Sequence, residues 1–192
     1  MKYILGILLF VSSLAHSQNA DINLLKKINV NRNVKLDNTF KCFTYSMTPV
    51  TIAEPVALFA MWMVKKDSLS KANFLTAGFS LGYAAVVTVG MKYTFDRDRP
   101  FVTYPFIQKQ VEAGSPSFPS GHTSSAFAVA TSLSLCFPKW YVIAPSYLWA
   151  CGVGYSRMHL GVHYPSDVLI GALIGTASAF LGFKTQQWLS KK

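Results

Sequence analysis

Apolar residues in this chain gather into long runs, rather than into the strict alternation of a half-buried strand or the stripe of a soluble amphipathic helix. Phe74 to Met91 carries no charge and ends at Lys92. Thr123 to Phe137 stops at Pro138-Lys139, Trp140 to Ser156 stops at Arg157, and Val168 to Phe183 stops at Lys184, with Trp188 where an interfacial aromatic belongs. A bilayer core about 30 Å thick needs roughly 20 apolar residues in a helix, and fewer where flanking side chains reach the interface. Each run therefore predicts a membrane-spanning helix. A fifth run, Phe43 to Val64, is interrupted by Pro49, Glu54 and Pro55, and Thr51-Ile52-Ala53-Glu54 has the form of a capping box. Its regular helix is expected to begin only near Ile52. The predicted fold is all-α: a polytopic transmembrane bundle of five to six helices.

The start of the chain has a different pattern. Met1-Lys2 precedes a mostly apolar stretch from Tyr3 to Ala15, and Ala15-His16-Ser17 places small residues at a secretory cleavage position. Residues 1–17 read as a signal peptide cut before Gln18, or as a short first span. Either reading puts 18–42, a polar segment with Lys26, Lys27, Arg32, Lys35 and Lys41, outside the cytoplasm. Its short pattern Ile22, Leu24, Leu25 and Ile28 predicts a surface helix or loop lying on the membrane. Residues 43–192 form the membrane domain. Counting crossings from Gln18 leaves Lys65, Lys66, Lys71, Lys139, Lys184, Lys191 and Lys192 in the cytoplasm against one acid, Asp67, in line with the positive-inside rule. Basic residues on the other side blunt that count, so the signal-like start decides the orientation. Parity alone puts segments 92–121 and 157–167 on one face.

Composition agrees with the runs. Hydrophobic residues make up 51% of the 192 and charged residues only 14%, against about a quarter in soluble domains. The net charge of +10 would suggest nucleic acid in a soluble protein. Here it flanks spans and meets anionic headgroups, so no nucleic-acid partner is implied. Cys42, Cys136 and Cys151 show neither a CxxC pair nor metal-ligand spacing, which leaves no disulfide framework and no zinc site. The length leaves no room for a second catalytic module, and nothing calls for an obligate protein partner.

The shared face holds the unusual polar groups, as three ordered patterns: Lys92-x6-Arg99-Pro100, Pro119-Ser120-Gly121-His122, and Ser156-Arg157-x5-His163-x3-Asp167. Lys92, Arg99 and Arg157 supply three cations, and an arginine fork suits phosphate oxygens. Ser120-Gly121-His122 opens an apolar helix, where free backbone N–H groups and an absent side chain make an anion site. His163 and Asp167 lie four apart around Pro165, a favoured first helical residue. Asp167 in the first turn is thus placed to accept the Nδ1–H of His163 and leave Nε2 free to attack.

With these motifs the chain resembles the type 2 phosphatidic acid phosphatase superfamily, which also includes bacterial class A acid phosphatases and vanadium haloperoxidases. The match holds at every signature position and covers about residues 74–185. The resemblance implies that His163 forms a phosphohistidine, that His122 protonates the leaving oxygen and then serves as base for water, and that Lys92, Arg99, Ser120, Gly121 and Arg157 hold the phosphoryl oxygens. It implies no metal and no cofactor. The implied substrate is a lipid phosphate or diphosphate: undecaprenyl diphosphate, phosphatidylglycerophosphate, phosphatidic acid or lipid A phosphate. The implied location is a bacterial inner membrane with the site facing the periplasm. A secreted soluble acid phosphatase shares the motifs, but the uncharged run Phe74 to Met91 argues against it. A non-catalytic lipid-binding protein would be expected to lack a catalytic group, and none is missing. His159 is expected to be a loop or headgroup contact, and Asp96, Arg97 and Asp98 to pair among themselves. Phe101, Tyr104, Phe106, Lys109 and Glu112 suit either membrane anchoring or substrate recognition.

Overall fold

A computed structural model describes residues 20–191, so the expectation for residues 1–17 lies outside the described residues. Helix α1 occupies 20–29 and a 3-10 turn follows at Val34–Leu36. Then come α2 (Asp37–Lys65), α3 (Ser68–Phe95), the single turn α4 (Pro100–Thr103), α5 (Gly121–Cys136), α6 (Trp140–His159) and α7 (Pro165–Leu189). No strand occurs among the described residues. The chain is an all-α transmembrane bundle, with five long helices among the described residues.

Local chemistry sets the boundaries. Lys66 turns left-handed to close α2, and Asp67 accepts the Ser70 N–H at 2.7 Å to start α3, giving a hairpin of two residues. Pro165 occupies the first turn of α7, while Asp167 reaches back to accept the Tyr164 N–H at 2.9 Å.

Helix α2 corrects the expectation of a late start. It runs without a break from Asp37 to Lys65 with Pro49 and Pro55 inside. A backbone crossing hydrocarbon must satisfy its own polar groups, which favours helix even where proline removes a donor. Glu54 caps nothing; it lies buried on the inner side of α2 and accepts a hydrogen bond from Ser132 Oγ of α5.

Helix α5 is the centre, packed against α2, α3, α6 and α7. Its 16 residues reach about 24 Å at 1.5 Å per residue. They bury Thr123, Ser124, Thr131 and Ser132 beside Ala126, Ala128 and Ala130. Among the described residues, only α2, α3 and α7 are long and apolar enough to cross a membrane by their own composition. Neighbouring helices screen α5 from lipid, so it can carry hydroxyls.

Up-and-down order brings the start of α2, the end of α3, the start of α5, the end of α6 and the start of α7 to one end of the bundle. Hydrogen bonds confirm the meeting: Thr44 Oγ1 with Ser156 Oγ at 2.6 Å, and Ser120 N–H to the Asp167 carbonyl at 3.0 Å. Helix α1 and the 104–120 loop cover this end. Two residues of the apolar side of α1, Ile22 and Leu25, are buried against Ile107 and Tyr164, while Leu24 stays exposed, so the helix docks on protein with part of its apolar pattern.

Candidate active site

Each of the three sequence patterns ends at a helix terminus, and folding stacks those termini together. Lys92 lies in the last turn of α3, buried, with its ammonium donating to the Pro116 carbonyl. Arg99, just before α4, donates from Nε to the Ser115 carbonyl at 2.7 Å and from Nη1 to the Val162 carbonyl at 2.9 Å. Arg157, in the last turn of α6, is 2% exposed and donates from Nη1 to Thr44 Oγ1 at 3.0 Å. Its Nε, also buried, has no hydrogen-bond partner among the described residues. Ser120 stands at the N-cap position of α5 without a side-chain capping bond, with Gly121 and the partly buried His122 in the first turn.

Three buried cations at one spot repel one another, more strongly in a low-dielectric interior than in water. The nearest carboxylate, Asp167, is engaged elsewhere. Its Oδ1 accepts from Arg97 Nη1 at 2.7 Å, and its Oδ2 takes the Tyr164 N–H and the Ser117 hydroxyl. The cluster is therefore suited to an anion that supplies several oxygens.

His163 sits between the two groups, 2% exposed. Its Nδ1 faces Asp167 Oδ2 at 3.4 Å and Ser117 Oγ at 3.5 Å. Its Nε2 faces the cations, 3.4 Å from Arg99 Nη1. Burial, with Arg99 and Arg157 nearby, pushes its pKa down to about 3 against the opposing pull of Asp167. The ring is thus neutral, with a lone pair available to an electrophile on the cation side.

Sequence reasoning missed several participants. Ser117, fully buried, shares Asp167 with His163; it stands three residues before Ser120 but outside the motif. Thr44 on α2 supports Arg157 from outside every motif. Arg97 does not pair with its neighbours Asp96 and Asp98 in the way expected: its fork joins Asp167 to Asp21 of α1. His159 corrects the expectation of a loop or headgroup contact. It is buried, its Nε2 lies 2.8 Å from Asp37 Oδ1, and its ring packs on Phe40 at 4.3 Å, fastening α6 to α2. Spacing carried no signal for these pairings, which join residues up to 122 apart.

A cleft of about 330 Å³ runs beside the cluster. Lys92, Ser115 and Gly121 line it together with the apolar side chains Met47, Ala84, Ala85 and Val89 of α2 and α3. One cavity thus joins a cationic end to an apolar wall.

Comparison with known proteins agrees with this layout. The "Undecaprenyl-diphosphatase BcrC" of Bacillus subtilis is 29% identical over 69% of this chain and 67% of its own length. The "Lipid A 4'-phosphatase" of Bacteroides thetaiotaomicron is 32% identical over 48% of this chain, which spans 41% of that relative. The crystal structure of a transmembrane PAP2-type phosphatidylglycerolphosphate phosphatase from Bacillus subtilis superposes with a TM-score of 0.71, covering 95% of both chains at 24% identity, and so shares the fold. The PAP2 superfamily profile matches residues 73–191, a stretch that holds all three motifs, and the chain belongs to that superfamily.

Proposed function

We propose that this protein is an integral membrane phosphatase that hydrolyses a lipid phosphate or diphosphate through a phosphohistidine on His163. The observation that carries the reading is the cleft in which Lys92 and Gly121 meet the apolar wall of α2 and α3. A headgroup phosphate reaches the cations while its hydrocarbon chain stays among apolar side chains, which a soluble ester would not use. Undecaprenyl diphosphate and lipid A are the substrates named for the two relatives, and phosphatidylglycerophosphate and phosphatidic acid present the same chemistry.

In the proposed reaction Lys92, Arg99, Arg157, the Ser120 hydroxyl and the Gly121 N–H hold the phosphoryl oxygens, so that charge stabilisation and positioning do most of the work. Nε2 of His163 attacks phosphorus in line with the leaving oxygen, which takes a proton from His122. Asp167 holds Nδ1 and supports the positive charge that develops on the ring. Water, deprotonated by His122, then cleaves the P–N bond and releases phosphate. No metal takes part. The site faces the periplasm across a bacterial inner membrane, with the Lys65–Lys71 and Pro138–Lys139 turns in the cytoplasm.

The deciding experiment is phosphate release by purified protein in detergent, on a panel of those four lipids and a short water-soluble ester. The long-chain lipids should have much the higher kcat/KM. Activity should persist in excess EDTA, fall with vanadate and disappear in His163→Ala. Equal efficiency on the soluble ester, or metal-restored activity after chelation, would overturn the reading.

A further inference from the structure

Helix α1 lies outside the stretch that matches the superfamily, yet it places a carboxylate against the site. Asp21, buried on its first turn, accepts from Arg97 Nη2 at 2.9 Å. It also accepts the Ser166 backbone N–H at 2.8 Å, and the Ser166 hydroxyl. Arg97 Nη1 in turn donates to Asp167 Oδ1 at 2.7 Å and to Ser166 Oγ at 2.8 Å, and its guanidinium stacks 3.8 Å above the Tyr164 ring. Asp167 faces His163 at 3.4 Å. A continuous path therefore runs Asp21–Arg97–Asp167–His163.

The charges along it explain why two carboxylates flank one arginine. Arg97 alone would neutralise Asp167, drawing its electron density away from the Nδ1 side of His163 just when phosphoryl transfer makes that ring positive. A second carboxylate on the far side of Arg97 divides the cation between two anions and leaves Asp167 with more of its charge for the histidine. The two carboxylates are shielded, with side chains 6% and 0% exposed, while the Arg97 side chain between them is 27% exposed, so solvent screens the interaction only from the arginine side. Ser166, held by both Asp21 and Arg97, fixes the first turn of α7, where Asp167 sits.

We infer that Asp21 is a positioning residue for the reacting histidine, acting through Arg97 to keep Asp167 aligned with His163 and charged towards it. The inference rests on the phosphatase reading above. It gives the N-terminal helix a part in the reaction that none of the three motifs contains.

The test uses the full chain in detergent, with undecaprenyl diphosphate and phosphatidic acid in mixed micelles. Asp21→Asn keeps the size and an acceptor oxygen but removes the charge. It should lower kcat about tenfold at unchanged KM, and lower Tm as well because the new amide N–H meets a donor, the rate loss exceeding that of Leu25→Ala at equal loss of Tm. In an Arg97→Gln background the same change should cost clearly less than it does alone, because the charge path runs through Arg97 and only the direct hold of Asp21 on Ser166 remains. Leu25→Ala, which weakens the docking of α1 without touching a charge, separates anchoring from positioning. A separate readout is the 15N spectrum of the His163 ring, whose Nδ1 signal should move in Asp21→Asn. Wild-type kcat together with an unmoved Nδ1 signal in Asp21→Asn would overturn the inference. So would a loss of rate that follows Tm and is reproduced by Leu25→Ala. If the wild type hydrolyses neither lipid, the proposed function fails, and the His163 spectrum still decides the link.

Discussion

Replacing Gly171 by alanine tests whether the site is set by how closely α7 approaches α5. A Cβ at this position would lie 2.7 Å from the Ser120 carbonyl oxygen, 3.2 Å from Thr123 Cβ and 3.4 Å from the Ser124 nitrogen. Restoring ordinary contact at 3.4 Å requires α5 to retreat by about 0.7 Å. Ser120 cannot yield by itself, because its carbonyl accepts the Ser124 N–H at 2.9 Å and its N–H donates to the Asp167 carbonyl at 3.0 Å. The shift therefore moves Ser120, Gly121 and His122 together, away from Asp167 on α7 and His163 in the loop before it. A misplacement near 1 Å costs about 100-fold in rate, so a loss of about 10- to 50-fold in kcat is expected. Overpacking should lower stability by about 1–3 kcal/mol, visible as a reduced Tm in detergent. Initial rates of phosphate release, read beside Tm, measure both. Gly82→Ala is the control: nothing lies within 4 Å of its Cβ, so rate and Tm should hold. Full kcat and unchanged Tm in Gly171→Ala would refute the idea that helix approach sets the site.

The remaining predictions concern protonation, the buried acid of α2 and topology. His163 titrates near 6.5 when unfolded and is pushed down to about 3 when folded, so the stability it contributes is complete above pH 6.5 and is lost as pH falls towards 3. Thermal scans from pH 7 to 4 should therefore show a shallower acid decline in His163→Gln than in wild type; parallel curves would contradict this. Ser132→Ala removes a hydrogen bond from Glu54, whose Oε2 has no hydrogen-bond partner among the described residues, and should lower stability by about 1–3 kcal/mol. Adding Glu54→Met should recover that loss in a denaturation assay, and failure to do so would show that the pair has another role. In a background lacking Cys42, Cys136 and Cys151, an impermeant thiol reagent on intact cells should tag a cysteine at position 109 and spare one at position 67. The reverse result would invert the orientation and leave the shared face intact.

The apolar runs and the motif spacing were readable in one dimension, because a lipid-spanning segment must be long, apolar and helical on its own account, and parity then fixes which loops share a face. That was enough to collect Lys92, Arg99, Ser120, Gly121, His122, Arg157, His163 and Asp167 before any coordinates. Features that depend on what a residue meets were not readable. The prolines of α2 suggested a break that the bilayer and the neighbouring helices do not permit. Glu54 looked like a cap and proved to be a partner of Ser132. The short apolar pattern of α1 read as a helix lying on the membrane, and two of its residues, Ile22 and Leu25, dock instead on Ile107 and Tyr164. Arg97 stood between two aspartates in sequence, yet its fork closes on carboxylates from α1 and α7, because a charged side chain at a helix end pairs with whatever other ends the packing brings within 3 Å. Sequence determined which groups share a face of the membrane; the convergence of five helix ends decided which of them touch.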